Sequence, residues 1–304
     1  MNAADFIWMD GKLVKWEDAK IHILTHSLHY ANAVFEGTRA YPTDKGLAIF
    51  RLADHTKRLL KSAKMTVLNV KYTQEELEKA QIELLRANKF KNIVYIRPII
   101  YVGYGVMGVS HIKAPINTAI AAWEWGAYLG EDGLDKGIKV KISSFTRSPV
   151  KAQMGKAKAS SNYLNSQMAN FEAQEAGYDE ALLLDEEGFI AEGPGECFFI
   201  VQDGALITPP SDNALVSITQ DTVIKLAYDL DIEVRRERIT RDQAYTADEA
   251  FFTGTAAEVT PITNIDARII GTGVCGEVTK RLQKAYFDVV YGRNPKYASM
   301  LTYI

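Results

Sequence analysis

The chain has 304 residues, 47% apolar and 24% charged, which is ample material for a packed core and excludes disorder for its bulk. Its 38 acids against 35 bases give a net charge of -3, leaving no basic surplus for a nucleic-acid backbone. Two cysteines, Cys197 and Cys275, are too few for a disulfide framework or a four-thiolate zinc site.

No apolar run reaches the ~18–20 residues of a membrane span. The first residues, with Asp5 and Asp10, lack a charged-then-apolar signal pattern. A cytoplasmic chain without membrane or nucleic-acid partners is expected. At roughly 100–200 residues per domain, the length suggests two domains.

In chain order, FIWMDGKLVKW alternates around Asp10-Gly11, a strong hairpin signal. Residues 52–65 and 73–88 are predicted helices, and Thr73 with Glu76 has the spacing of a capping box. NIVYIRPIIYV and TAIAAWEW, rich in β-branched and aromatic residues, predict buried strands. Gly126, Gly130, Gly133 and Gly137 then fall among acidic residues with no apolar period, which predicts an interdomain loop over 126–136. GIKVKISSF is a predicted strand and 161–176 a helix. EALLLD and ECFFIVQ are strands, the latter turning at Asp203-Gly204. A helix over 220–230, the strands IEVRRERI and AFFTG, the segment ARII and a helix over 277–291 complete the chain. Without regular βαβ alternation, the order favours an α+β fold: one domain over 1–125 and a second over 137–304.

Some attractive signals lead nowhere. GYGVMG (103–108) has dinucleotide-loop spacing, but Pro115 follows where the fingerprint needs a helix. GTGVCG (271–276) does precede a helix, yet no second parallel strand can follow. His22, His26 and His29 lack a carboxylate ligand set, so no metal site is expected. Ser148 and Lys151 share an S-x-x-K spacing without its companion motifs.

Other residues carry more chemistry. In GKAKASSNYL the small residues around Lys158 leave room for a flat ligand, and a lysine in a dry pocket becomes a nucleophile toward carbonyls. Spacing alone leaves Lys151 and Lys156 as competitors. Thr219 is predicted to cap a helix, an arrangement suited to a phosphate. The turn GTAAE, with Gly254, Thr255 and Ala256, could turn amides toward an anion, and AEGPGE sets Glu192 beside glycines.

Taken together, HSLHYANAVFEGTRAY, the Arg58 helix, YIRP, WGAYLG, AKASSNYL, EGPGE, SITQD and GTAAEVTPI resemble the fold-type-IV aminotransferases, specifically the branched-chain amino acid aminotransferases. The resemblance covers nearly the whole chain. It implies two mixed α/β domains with the active site at their interface, the second domain binding the cofactor. It also implies pyridoxal 5'-phosphate as cofactor and at least a homodimer, up to a higher homo-oligomer. The family's lysine stands four residues before Asn-Tyr, so Lys158 would hold the cofactor and shuttle the proton. Glu192 would keep the pyridine nitrogen protonated, and Tyr163 would bond the phenolic oxygen. Arg58 would pair with the phosphate, helped by amides at Ile218 and Thr219 and by Gly254-Thr255, while Leu215 would pack on the ring.

For substrate, the resemblance implies Tyr95 and the amides of Thr255 and Ala256 on the α-carboxylate. Arg97, with Tyr30 and the partner's Tyr128, would meet the distal carboxylate of glutamate. Phe35, Tyr30 and Tyr163 offer apolar faces, Gly37 leaves space for branching, and Arg39 braces the wall. The implied reaction moves an amino group between L-leucine, L-isoleucine or L-valine and 2-oxoglutarate.

Two positions depart from the family pattern. Cys197 stands where an asparagine is usual, and Val216-Ser217 replaces Pro-Gly. A D-amino acid aminotransferase or aminodeoxychorismate lyase would share the cofactor residues. A cofactor-free Schiff-base aldolase or a non-catalytic binding protein would not need Arg58 with Glu192, or Lys158, respectively.

Overall fold

The computed structural model describes residues 4–126, 128–212 and 214–304. Ala127, within the WGAYLG stretch and the expected loop, lies outside the described residues. The chain divides into two units. The first comprises the chain up to Gly126, Ala157–Ser161 and Val290–Ile304; the second comprises the chain between Gly126 and Ala157 together with Asn162–Val289.

This division differs from the contiguous one expected from sequence, for two physical reasons. Ala159 forms a bridge with Val34, and the Phe35 N–H donates to the Lys158 carbonyl at 3.0 Å. Those bonds place the lysine segment in the first unit. The strand Leu301–Tyr303 pairs antiparallel with Gly46–Phe50, so the tail joins the first unit as well.

The first unit is built on one antiparallel sheet. Its order is Leu301–Tyr303, Gly46–Phe50, Thr38–Thr43, Val94–Val102, Ile116–Glu124, Phe6–Met9 and Lys12–Lys15, with Ala33–Phe35 also on Val94–Val102. The hairpin at Asp10-Gly11 forms as its sequence demands: both residues take positive φ, 45° and 96°, the twist that suits two-residue hairpins. The edge strand Lys12–Lys15 carries a lysine at each end, which discourages pairing with another chain. Helices Leu52–Met65 and Gln74–Asn88 bury Leu59, Leu77, Leu84 and neighbours in one core with Val34, Ile49, Ile96 and Ile100. The predicted capping box is present, with the Thr73 hydroxyl accepting from the Glu76 amide.

Pro98 falls inside the central strand, where proline is normally excluded. It lies at the break between Ala33–Phe35 and Thr38–Thr43, and its carbonyl accepts from the Glu36 N–H at 2.9 Å. The missing donor therefore faces an interruption in the ladder.

The second unit holds a mixed sheet. Its order is Ile190–Glu192, Glu180–Leu184, Ile138–Thr146, Glu258–Ile265, Glu249–Gly254, Cys197–Gln202, Ala205–Thr208 and Val234–Arg236, with Arg268–Ile269 on Glu258–Ile265. Phe198, Phe199, Phe251 and Phe252 are fully buried and face one another across two strands. Each such side chain contributes roughly 1.5–3 kcal/mol by burial. Two expectations change here. The loop after Gly126 contains a helix, Glu131–Lys136. The segment IEVRRERI forms only the short strand Val234–Arg236, because its dense charges suit a sheet edge.

Candidate active site

In the first unit, the Phe35–Arg39 segment and the strand Val94–Val102 assemble a cationic and aromatic group. The Lys158 ammonium lies 5.2 Å from the Phe35 ring centroid, and the Arg97 guanidinium 4.6 Å from it on its own approach. Lys158 is half-buried between buried Ala157 and Ala159, and its N–H donates to Ser62 Oγ at 3.0 Å. Arg97 Nη2 donates to Tyr95 Oη at 3.0 Å. Tyr95 packs against Trp123 and Trp125, each 5.1 Å away between centroids, and the two tryptophans lie 6.0 Å from one another.

Gly37 has a different role from the one its sequence suggests. A side chain there would meet Tyr95 Oη at 1.9 Å. Its small size is used by the tyrosine and not left open for a branched substrate. Arg39 is 1% exposed and its Nη2 donates to the carbonyls of Trp125 and Gly126. Tyr30 is 40% exposed, accepts from the Gly108 N–H at 3.1 Å and lines a cavity of ≈ 320 Å³ with His26, Asn32, Thr66, Val109 and Ser161.

Arg58 is engaged by residues that the sequence reading missed. Its Nε donates to Glu36 Oε1 at 2.5 Å and its Nη2 to Oε2 at 2.9 Å. The His55 Nδ1 lies 2.8 Å from the same Oε2. Burial raises the Glu36 pKa, but the Arg58 charge and the bonds from His55 and Arg58 outweigh it and hold the carboxyl well below its usual range. Burial pushes the His55 imidazole down, only partly offset by Glu36, with Arg58 and Lys158 adding to the lowering. The signal was available: a carboxylate in the apolar run AVFEG must find a cation if it is buried, and His55 with Arg58 lies three residues apart on one helix.

The three N-terminal histidines hold backbone. His26 Nε2 is 2.8 Å from the Gly108 carbonyl, His29 Nε2 is 2.9 Å from that of Ile23, and His22 Nδ1 accepts from the Leu24 N–H.

In the second unit, Glu192 ends the strand Ile190–Glu192 and is 5% exposed. Arg147 Nη2 pairs with its Oε1 at 2.6 Å, another contact that the sequence did not reveal. The turn after it is tight, since a side chain at Gly193 would meet Glu196 and the Phe252 ring. Tyr163 opens the helix Tyr163–Glu175 and is half-buried.

Ser217, and not Thr219, is the cap of helix Ile218–Asp229. Ser217 has extended backbone, and its hydroxyl accepts from the Gln220 amide at 3.2 Å. Thr219 is the helix's second residue and is 2% exposed. The departure from Pro-Gly at 216–217 therefore still yields a capped N-terminus with its positive dipole end. Leu215 precedes it, half-buried. Gly254 ends one strand and pairs with Glu258 of the next, with Thr255 and Ala256 in the turn between them, and Gly254 leaves 3.4 Å between an added side chain and the Gly195 carbonyl. Tyr128 is 41% exposed. Cys197 is buried on the strand Cys197–Gln202, opposite Thr253.

The family model for amino-transferase class IV matches residues 33–265. The chain belongs to this family. Among its relatives, the branched-chain-amino-acid aminotransferase of Pseudomonas aeruginosa is 48% identical over 98% of this chain and 97% of that protein. The enzyme of that name from Escherichia coli K12 is 45% identical over 95% and 94% respectively. A solved T.th. branched-chain amino acid aminotransferase with pyridoxamine 5'-phosphate superposes with a TM-score of 0.96 at 49% identity, covering 100% of this chain and 99% of that one. The Escherichia coli structure gives 0.96 at 44% identity, covering 98% of each. The α+β architecture is thus that of the fold-type-IV aminotransferases.

Proposed function

We propose that this class IV aminotransferase moves the amino group between L-leucine, L-isoleucine or L-valine and 2-oxoglutarate, giving branched 2-oxo acids and L-glutamate. Near-full-length identity of 45–48% to branched-chain enzymes carries the reading. Neither a D-amino acid aminotransferase nor a lyase is favoured by these relatives.

The residues fit pyridoxal 5'-phosphate in their chemistry: a lysine amine among small residues, a nearly buried carboxylate at Glu192, the Arg58 guanidinium and a serine-capped helix start. Lys158 would hold the cofactor's aldehyde, and Glu192 its ring nitrogen. Tyr163 would bond its phenolic oxygen. Arg58, the amides of Ile218 and Thr219, and Gly254-Thr255 would hold its phosphate, with Leu215 against the ring. When bound, the cofactor supplies an electron sink that makes the substrate's Cα acidic.

Lys158 Nζ would take the proton from the substrate's Cα and hand it on to the cofactor's carbon, as a positioned general acid–base. Tyr95, Thr255 and Ala256 bind the α-carboxylate. Arg97 meets the distal carboxylate of glutamate, with Tyr30 and the partner's Tyr128, while Phe35, Tyr30 and Tyr163 offer apolar faces to leucine. Arg97 already shares its field with Phe35 and Tyr95, which supports one pocket serving both substrate types. Arg39 braces Trp125 and Gly126, and Gly37 makes room for Tyr95.

The substrates are small molecules. No helix among the described residues is long and apolar enough to cross a membrane. A cytoplasmic location and at least a homodimeric assembly are part of the proposal. Leu28, Met107, Val109 and Ile112 of the first unit expose 58%, 48%, 88% and 86% of their surface, apolar area that association would cover. A screen of L- and D-amino donors with 2-oxoglutarate tests the reaction. L-leucine, L-isoleucine and L-valine should lead; faster turnover of D-alanine than of L-leucine would refute the substrate assignment.

A further inference from the structure

Arg147 follows the strand Ile138–Thr146, and its N–H donates to the Leu184 carbonyl at 2.8 Å. The residue is 9% exposed, and its guanidinium spans two elements. Nη2 pairs with Glu192 Oε1 at 2.6 Å, and Nη1 donates to Ser166 Oγ at 3.3 Å. Ser166 is 4% exposed and stands on the helix that Tyr163 opens.

A buried carboxylate needs a cation or bonded donors to remain ionised. A guanidinium supplies both charge and a fixed planar fork. It also lowers the basicity of the carboxylate beside it. A proton shared between such a carboxylate and a ring nitrogen therefore rests on the nitrogen.

We propose that Arg147 is the positioning residue for Glu192: it fixes that carboxylate against the helix of Tyr163 and keeps it ionised, so that the cofactor's ring nitrogen retains its proton. The inference rests on the reading that Glu192 faces that nitrogen. Arg147 acts through Glu192, with which its guanidinium pairs.

The test uses the holoenzyme loaded with isotope-labelled cofactor, reading the ring-nitrogen NMR shift beside steady-state kinetics. Arg147→Gln should move the shift toward the unprotonated value. It should also lower kcat by about tenfold to a hundredfold, the scale on which slight misplacement of reacting groups costs rate, with KM changing less. Arg147→Lys keeps the charge but loses the fork, so the shift should stay protonated while kcat falls several-fold. An unmoved shift in folded Arg147→Gln overturns the proposal.

If Arg147→Gln does not fold, Arg147→Lys carries the test alone, and an unchanged kcat in that variant overturns the proposal. Glu192→Gln separates the layers. If it leaves the shift in place, the reading of Glu192 falls and the proposal with it. If it moves the shift and Arg147→Gln does not, only the role of Arg147 falls. The cofactor-free protein gives an independent readout: Arg147→Gln should melt below wild type, and Arg147→Gln with Glu192→Gln should recover part of that loss. Absence of any recovery would contradict a charge coupling between the two.

Discussion

The Glu36 carboxylate, fully buried, grips the Arg58 guanidinium in a two-point fork at 2.5 Å and 2.9 Å. Removing one partner leaves the other charge buried and uncompensated, which costs about 3–5 kcal/mol. Glu36→Ala should therefore shift the urea unfolding midpoint strongly downward. Glu36→Ala combined with Arg58→Leu should cost clearly less than the sum of the two single changes. Additive losses would show that the pair is not coupled.

His55 supplies a pH signature. The free imidazole titrates at 6.5, and burial holds the folded-state value below that, against the pull of Glu36. Below 6.5 the unfolded chain binds a proton that the folded chain resists. Stability therefore falls as pH drops through that range, with a slope for this group approaching about 1.4 kcal/mol per pH unit. Urea midpoints at pH 7.5 and 5.5 should separate more in wild type than in His55→Asn. Equal separations would rule out this group as the source.

Borohydride reduction of the holoenzyme, followed by peptide mapping, should label Lys158. Label on Lys151 or Lys156 would reassign the cofactor lysine. The backbone of Lys158 is tied to Ser62 and Phe35, whereas Lys151 and Lys156 are both exposed members of the second unit.

Arg97→Ala should weaken glutamate and 2-oxoglutarate by about 1.5–3 kcal/mol, the worth of a charged hydrogen bond, and leucine by less. The guanidinium stacks on Phe35 and bonds Tyr95 while its buried Nε has no hydrogen-bond partner among the described residues. An equal loss in KM for all substrates would instead mark a general collapse of the Tyr95 face.

Both cysteines should resist alkylation in the native protein. Cys197 is 7% and Cys275 5% exposed, and burial pushes the Cys275 thiol up to about 11. A thiol needs both access and thiolate character to react. Iodoacetamide at pH 8 should modify neither until denaturant is added, and Cys197→Ser should retain most of the activity.

The legible parts of the fold were those with local causes. The Asp10-Gly11 hairpin, the Thr73–Glu76 capping box and the β-branched run around Arg97 each carry their instruction within a few residues. The strands between Ala33 and Phe50 escaped notice because Ala33–Phe35 has only three residues and a distant partner, and Pro42 interrupts the hairpin that Thr38–Thr43 forms with Gly46–Phe50. The cap at Ser217 was misplaced by two residues because serine and threonine compete for that position on nearly equal terms. Motifs single out Lys158 and Glu192 as candidates. The Arg147–Glu192 pair could not be read, since an ion pair between distant residues leaves no periodic trace, whereas the carboxylate in AVFEG left a clue to the Glu36–Arg58 pair.

The pairing of Leu301–Tyr303 with Gly46–Phe50 bears on how the molecule is made. On the ribosome the early strand is available long before its neighbour is translated. At roughly 5–20 residues per second, that edge waits on the order of 10–50 s, with unpaired backbone groups facing solvent. Crowded nascent chains are thus most open to strand exchange in that interval, and slowing translation downstream of residue 50 should increase reliance on chaperones.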